Sequence, residues 1–129
     1  MTDRSDLIAL LDRLPAARVL CVGDVMLDRF VHGRVERISP EAPIPVLRVE
    51  REAAMLGGSG NVARNLDALG AQTTFVSVVG DDDAGREVRS LFAELAGTRA
   101  ELATDAARQT AIKIRYLAGN QQMLRADRE

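Results

Sequence analysis

Aromatic side chains are scarce, at 3% of the 129 residues. Binders of single-stranded nucleic acid stack bases on aromatic rings, so that class is disfavoured. The net charge is −2 and the basic residues form no patch, which argues against any general nucleic-acid partner. Cysteine is rarer still. Cys21 stands alone in Val19-Leu20-Cys21-Val22, so no intrachain disulfide and no CxxC pair can form. Its simplest role is that of a small buried apolar residue. His32 is the single histidine, too few for a histidine metal site. No Gly-Lys pair occurs, and a P-loop requires Gly-Lys-Ser/Thr. No apolar run approaches the roughly 20 residues of a membrane-spanning helix. Asp3, Asp6 and Asp12 occupy the start of the chain, without the apolar core of a signal peptide. No internal repeat or low-complexity tract is visible. A cytoplasmic location without membrane partners is expected.

What is present fits a globular protein: 47% of residues are apolar and 28% charged. The length fits one domain, residues 1–129. Residues 5–14 read as a short amphipathic helix, with Leu7, Leu10, Leu11 and Leu14 on one side and Pro15 as its stop. Residues 18–23 form a continuous apolar run, the pattern of a strand buried on both faces. Residues 30–49 carry Pro40, Pro43 and Pro45, which excludes a helix and a central strand. Val35, Ile38, Ile44, Val46 and Val49 are expected to form extended edge pieces, an excursion from the main sheet with a small sheet of its own. A helix follows at 61–69, with Val62, Leu66 and Leu69 on one face and Gly70 closing it. Residues 73–79 read as a second buried strand. Asp81, Asp82 and Asp83 then open a helix over 84–95 as N-cap and first-turn acids. Residues 101–104 are a weak strand. Residues 110–117 alternate, with Ile112, Ile114 and Tyr116 opposite Lys113 and Arg115, and 122–126 return after a Gly119-Asn120 turn as a hairpin. Alternating strands and helices imply an α/β fold with a parallel sheet and right-handed crossovers. Ligands of such sheets sit beyond the carboxyl ends of the strands, where Asp24, Asp28, the glycines and Asp81 should gather.

The densest chemical signal is Gly57-Gly58-Ser59-Gly60-Asn61-Val62-Ala63-Arg64, glycines running into a helix start. Bare backbone lets a ligand approach closely, and unpaired amide groups at the helix start suit oxygen-rich anions. Three readings are open beyond a plain helix-start turn. Gly58-x-Gly60-x-x-Ala63 matches a dinucleotide fingerprint, with Asp81 placed 21 residues after Gly60. That would make the protein a nicotinamide-dependent oxidoreductase. The fingerprint needs a strand directly before its first glycine, whereas residues 50–56 intervene after the first strong strand. A P-loop fails for want of its lysine. In the third reading, Asn61 and backbone amides cradle a sugar or sugar phosphate and Asp28 accepts from its hydroxyls.

Longer motifs sharpen the third reading. Val22-Gly23-Asp24-Val25-Met26-Leu27-Asp28-Arg29 precedes Arg37-Ile38-Ser39-Pro40-Glu41-Ala42-Pro43-Ile44-Pro45-Val46. The glycine-asparagine motif, Leu69-Gly70, Thr110-Ala111-Ile112-Lys113-Ile114-Arg115 and Asn120-Gln121-Gln122-Met123-Leu124-Arg125 follow. From about Arg18 onward, this set resembles the amino-terminal part of the ribokinase-like (PfkB-type) carbohydrate kinases. Within that family it resembles the branch acting on D-glycero-β-D-manno-heptose 7-phosphate in ADP-heptose and lipopolysaccharide-core synthesis. One departure is visible: many members place three residues between the glycine pair and the asparagine, and here only Ser59 and Gly60 stand there.

The resemblance implies a ribokinase-like parallel sheet flanked by helices, with a small β-lid built from segments of about 30–50 and 109–127. It implies a sugar-phosphate substrate, bound by Asp28, Gly57, Gly58 and Asn61. Lys113 would face the phosphate, and Arg64 either helps or belongs to a solvated helix face. The lid strands imply a homodimer. The implied reaction moves the ATP γ-phosphoryl to the 1-hydroxyl of the sugar, with Mg²⁺ bridging phosphates. The aspartate base of such kinases sits in a Gly-x-Gly-Asp context. Neither Gly23-Asp24 nor Gly80-Asp81 provides one. The chain is therefore expected to be a piece of a longer kinase, with no catalytic residue, ATP or Mg²⁺ site of its own and no activity alone. A non-catalytic sugar-phosphate-binding or self-associating module is the alternative.

Overall fold

Two sheets share one layer of helices in the computed structural model, which describes residues 3–129. Helix α1 (Arg4–Leu11) and a 3₁₀ turn (Leu14–Ala16) lead into strands β1 (Arg18–Val22), β2 (Val25–Ile38) and β3 (Pro45–Gly58). Helix α2 (Ser59–Ala68), strand β4 (Gln72–Val79), helix α3 (Asp83–Ala93) and strand β5 (Thr98–Thr104) follow. Strands β6 (Ile112–Ala118) and β7 (Gln121–Arg128) end the chain as a hairpin. Strands β1, β4 and β5 form a parallel three-stranded sheet in that order. The second sheet has the order β3-β2-β6-β7, with β2 antiparallel to β3 and parallel to β6. The expected α/β class is present, and residues 25–58 and 112–128 supply a second sheet beside the parallel one.

The parallel sheet explains where the core sits. Both crossovers step the same way, from β1 to β4 to β5, so right-handed connections carry α2 and α3 to the same face. Phe75 and Val79 of β4, Ala63 of α2, and Val88 and Phe92 of α3 meet there with Val25 and Leu27 of β2 and Leu56 of β3. Phe75 and Phe92 stack with ring centroids 4.6 Å apart. The opposite face is bare. Leu20 and Val22 are 68% and 69% exposed, so β1 is an edge strand covered on one side, not a strand buried on both faces. Cys21, on the covered side, is half-buried and packs against the core.

Other local expectations shift similarly. Helix α1 ends before Pro15, which enters the 3₁₀ turn instead, and its Leu7, Leu10 and Leu11 are each more than half exposed. In α2, Gly60 and Ala63 face the core, while Val62 and Leu69 are exposed. The small residues let α2 approach Val25 and Leu56 closely, so they, and not the larger apolar side chains, make the contact. Gly70 closes the helix at φ 82° as expected. The prolines do not exclude a central strand over residues 30–38. They sit in the turn of residues 39–44 and at the first position of β3, leaving β2 free to pair on both sides.

The segment leading into the hairpin is tied to the start of α3. Asp82 caps α3 by accepting from Gly85 N at 2.7 Å, and its other oxygen accepts from Thr110 N at 2.8 Å. The buried Thr110 hydroxyl accepts in turn from Gly80 N at 2.9 Å. Burial works against the charge on Asp82. The hydrogen bonds from Thr110 and Gly85, with Arg86 nearby, outweigh it and hold the carboxyl below its ordinary value. Beyond this knot Ala111 O accepts from Leu27 N at 2.8 Å, and β6 begins its pairing with β2.

Candidate functional site

Alternation along β2 sorts its side chains onto two faces. Val25, Leu27 and Val31 are buried toward the helices, where Arg29 pairs with Glu87 of α3. Met26, Asp28, Phe30 and His32 point the other way, onto the open face of the second sheet. Asp28 stands level with Met55 of β3 and Lys113 of β6, and Phe30 stands level with Arg115. Gly57 pairs with Met26 and lies against the Asp28 carboxylate. A Cβ placed on Gly57 would meet Asp28 Oδ2 at 2.5 Å. Glycine is needed here for closeness.

Gly58 is needed for its backbone. It holds φ 57° and ψ −131° at the N-cap position of α2, where β3 turns abruptly into the helix. The turn is locked from the other side: Ser59 N and Oγ donate to Asp24 O at 3.0 Å and 2.6 Å. Asp24 thus acts through its carbonyl, as a turn residue. Asn61 lies in the exposed first turn of α2, four residues beyond Gly57, and its carbonyl accepts from Asn65 Nδ2 at 2.9 Å. Its amide side chain joins no hydrogen bond among the described residues. One corner therefore joins a carboxylate, bare backbone, a helix start and a side-chain amide, which suits a polyhydroxylated anion.

The cations divide. Arg115 Nη1 donates to Asp28 Oδ1 at 2.7 Å, and its guanidinium lies 5.2 Å from the centre of the Phe30 ring. Lys113 Nζ instead bonds Glu129 at 2.8 Å and Asp127 at 3.3 Å. These two bonds, Glu129 first, raise the Lys113 ammonium above its ordinary value. Burial opposes the charge on Asp127, but Lys113 and Arg125 pull its carboxyl down. Arg64 turns toward Met55 Sδ at 3.6 Å and lines a small cleft with Leu91, Glu94 and Leu95. Asp81 does not join Asp28. It pairs with Arg86 at 3.6 Å, while Asp82 serves as the helix cap. Arg115 is the residue that sequence reasoning passed over. Its place two residues after Lys113 on an alternating strand already put both on one face.

The structure also revises the ground on which a dinucleotide site was set aside. Residues 50–56 are no intervening loop; they belong to β3, which runs straight into Gly58. What rules against that site is that β3 pairs antiparallel to β2 at a sheet edge, outside any parallel βαβ unit. Among the described residues, no three His, Cys, Asp or Glu side chains converge as metal ligands.

Comparison with known proteins agrees with this geometry. The model of the pfkB family carbohydrate kinases matches residues 16–128. The chain is 60% identical over its whole length to the bifunctional protein HldE of Paramagnetospirillum magneticum, of which it spans 26%. It is 52% identical over 92% of its length to the D-beta-D-heptose 7-phosphate kinase of Bordetella bronchiseptica, of which it spans 37%. Among solved structures, a carbohydrate kinase from Agrobacterium tumefaciens superposes with a TM-score of 0.66 at 25% identity. That match covers 87% of this chain and 35% of the other. The chain thus spans well under half the length of the relatives it matches.

Proposed function

Since this chain belongs to the pfkB carbohydrate kinase family, we propose that it forms the acceptor-holding part of a heptose 7-phosphate kinase. The observation that carries this is the Asp28 carboxylate laid on the Gly57 backbone, where β3 turns into α2. Asp28 accepts hydrogen bonds from sugar hydroxyls. The Gly57-Gly58 backbone lets the ring lie close, and Asn61 with the first-turn amides of α2 fixes its orientation. Lys113 and Arg64 flank this corner as outer contacts. The second sheet acts as the flap that keeps water from the reacting hydroxyl.

The whole reaction moves the ATP γ-phosphoryl to the 1-hydroxyl of D-glycero-β-D-manno-heptose 7-phosphate, in the cytoplasm, toward ADP-heptose. ATP with Mg²⁺ supplies the phosphoryl donor in such kinases. No catalytic base is assigned within these 129 residues, so the chain alone is expected to bind without turnover. Homodimers form through the apolar groove of Val35, Ile44, Leu47, Tyr116, Met123 and Leu124 on the flap.

Calorimetric titration of the chain with heptose 7-phosphate tests the proposal. Saturable binding that Asp28→Asn weakens at least tenfold supports it (about 1.4 kcal/mol, the low end for a hydrogen bond to a charged group). No binding by the unaltered chain, or unaltered binding by D28N, overturns it. ADP release from Mg-ATP by the purified chain would overturn the expected lack of turnover.

A further inference from the structure

We propose that Arg115 reads the phosphate of the acceptor sugar while it holds Asp28, and so sets selectivity for phosphorylated over neutral sugars. This rests on the acceptor site proposed above. The guanidinium carries five N–H donors in a planar fork suited to two anions at once. One nitrogen, Nη1, is engaged by Asp28, and no other donor of Arg115 has a partner among the described residues. The Phe30 ring fixes the plane of the fork beside the carboxylate. The side chain is 22% exposed, enough for its free edge to meet a ligand.

The other cations of this face are less available. Lys113, the only lysine of the sequence, is shared by Glu129 and Asp127. Arg125 is paired with Asp127 at 3.0 Å. Arg51 stands level with His32, four residues along β2 from Asp28 and so about 13 Å away. Arg115 is thus the cation with both unspent donors and contact with Asp28. A ligand reaching both groups has hydroxyls at one end and a phosphate at the other, the chemistry of a sugar phosphate.

The test titrates the chain with heptose 7-phosphate, with the same heptose lacking phosphate, and with inorganic phosphate. The unaltered chain should prefer the phosphorylated sugar by roughly 30-fold, within the range of a hydrogen bond between charged groups. Arg115→Met should bring that ratio close to one, and Arg115→Lys should restore part of it. Arg125→Met, at a cation level with Arg115 but outside the proposed site and already paired with Asp127, should leave the ratio within about threefold. A folded R115M that keeps the full ratio overturns the assignment, as does an equal loss of the ratio in R125M. In both cases the acceptor site itself stands. If R115M does not fold, R115K decides: a full ratio overturns the assignment and a reduced one supports it. Failure of the unaltered chain to bind either sugar overturns the acceptor site and this inference together.

Discussion

Gly57 and Asp28 are pressed together across β3 and β2. A methyl group at Gly57 would stand 2.5 Å from Asp28 Oδ2 and 2.9 Å from Met26 Cγ. Gly57 is not among the glycines with positive φ, so alanine fits its backbone and only the space is wrong. Gly57→Ala should therefore push the carboxylate off its seat and destabilise the fold by about 1–3 kcal/mol, the usual cost of overpacking. The variant should remain folded and lose heptose 7-phosphate binding at least tenfold. Urea unfolding with calorimetry checks both. Unchanged affinity in a destabilised variant would separate the glycine from the site.

Acid should loosen the joint between α3 and the hairpin. The hydrogen bonds to Asp82 hold its carboxyl below the ordinary value, against the opposing effect of burial. A depressed folded-state value contributes stability that is fully present above the unfolded value, near 3.8. That stability is lost as pH falls through the still lower folded value. Asp82→Asn keeps a capping oxygen for Gly85 N but turns an amide donor toward Thr110 N, and should cost about 1–3 kcal/mol at neutral pH, the usual cost of an unsatisfied donor. It should also flatten the fall in urea midpoint below pH 4. An equally steep fall in D82N would assign the acid sensitivity to other carboxylates.

Elements with complete local signals were legible in the sequence. Asp82 with its acidic neighbours marked the start of α3, and Gly119-Asn120 between alternating runs marked the β6–β7 hairpin. What could not be read was which neighbour lies on each face. The run of residues 18–22 has the same apolar character whether one side or two are covered. Only the direction of the crossovers left Leu20 and Val22 bare. The prolines of residues 40–45 spoke for a turn and were extended too far, over a strand that ends before them. The corner of Asp28, Gly57, Gly58 and Asn61 was visible through its motifs. The Arg115–Asp28 pair was not. It spans 87 residues of sequence and follows from the parallel pairing of β2 with β6, which no local pattern encodes.

Lys113 offers a chemical readout of the hairpin edge. As the only lysine, it shares amine reactivity with the N-terminus alone, and peptide mass analysis separates the two. Glu129 and Asp127 raise its ammonium above the ordinary value and engage its donors. Acylation at pH 8–9 should therefore be slow, because less of the reactive neutral amine is present. The double variant Asp127→Asn with Glu129→Gln should speed labelling several-fold, with no change in the circular dichroism of the fold. Equal rates would mean that these contacts do not persist in solution.

The flap groove should control self-association. Leu124 is 59% exposed beside Met123 and Ile44, with Tyr116, Val35 and Leu47 completing one apolar surface on the side away from Asp28. An isologous pairing uses each such side chain twice, once from each copy. Fully burying a leucine stabilises by about 1.5–3 kcal/mol, and Leu124 has 59% of its surface left to bury, so its two copies account for roughly 2–3.5 kcal/mol of association. Leu124→Asp removes this and places two like charges across the symmetry axis. The dimer dissociation constant should rise at least 100-fold, about 2.7 kcal/mol, as read by sedimentation velocity over a concentration series. Because the groove lies on the opposite face of the sheet from Asp28, heptose 7-phosphate binding by the L124D monomer should stay within about threefold of the unaltered chain, some 0.6 kcal/mol. A dimer that persists in L124D would place the contact elsewhere, with the bare face of Leu20 and Val22 the next surface to mutate.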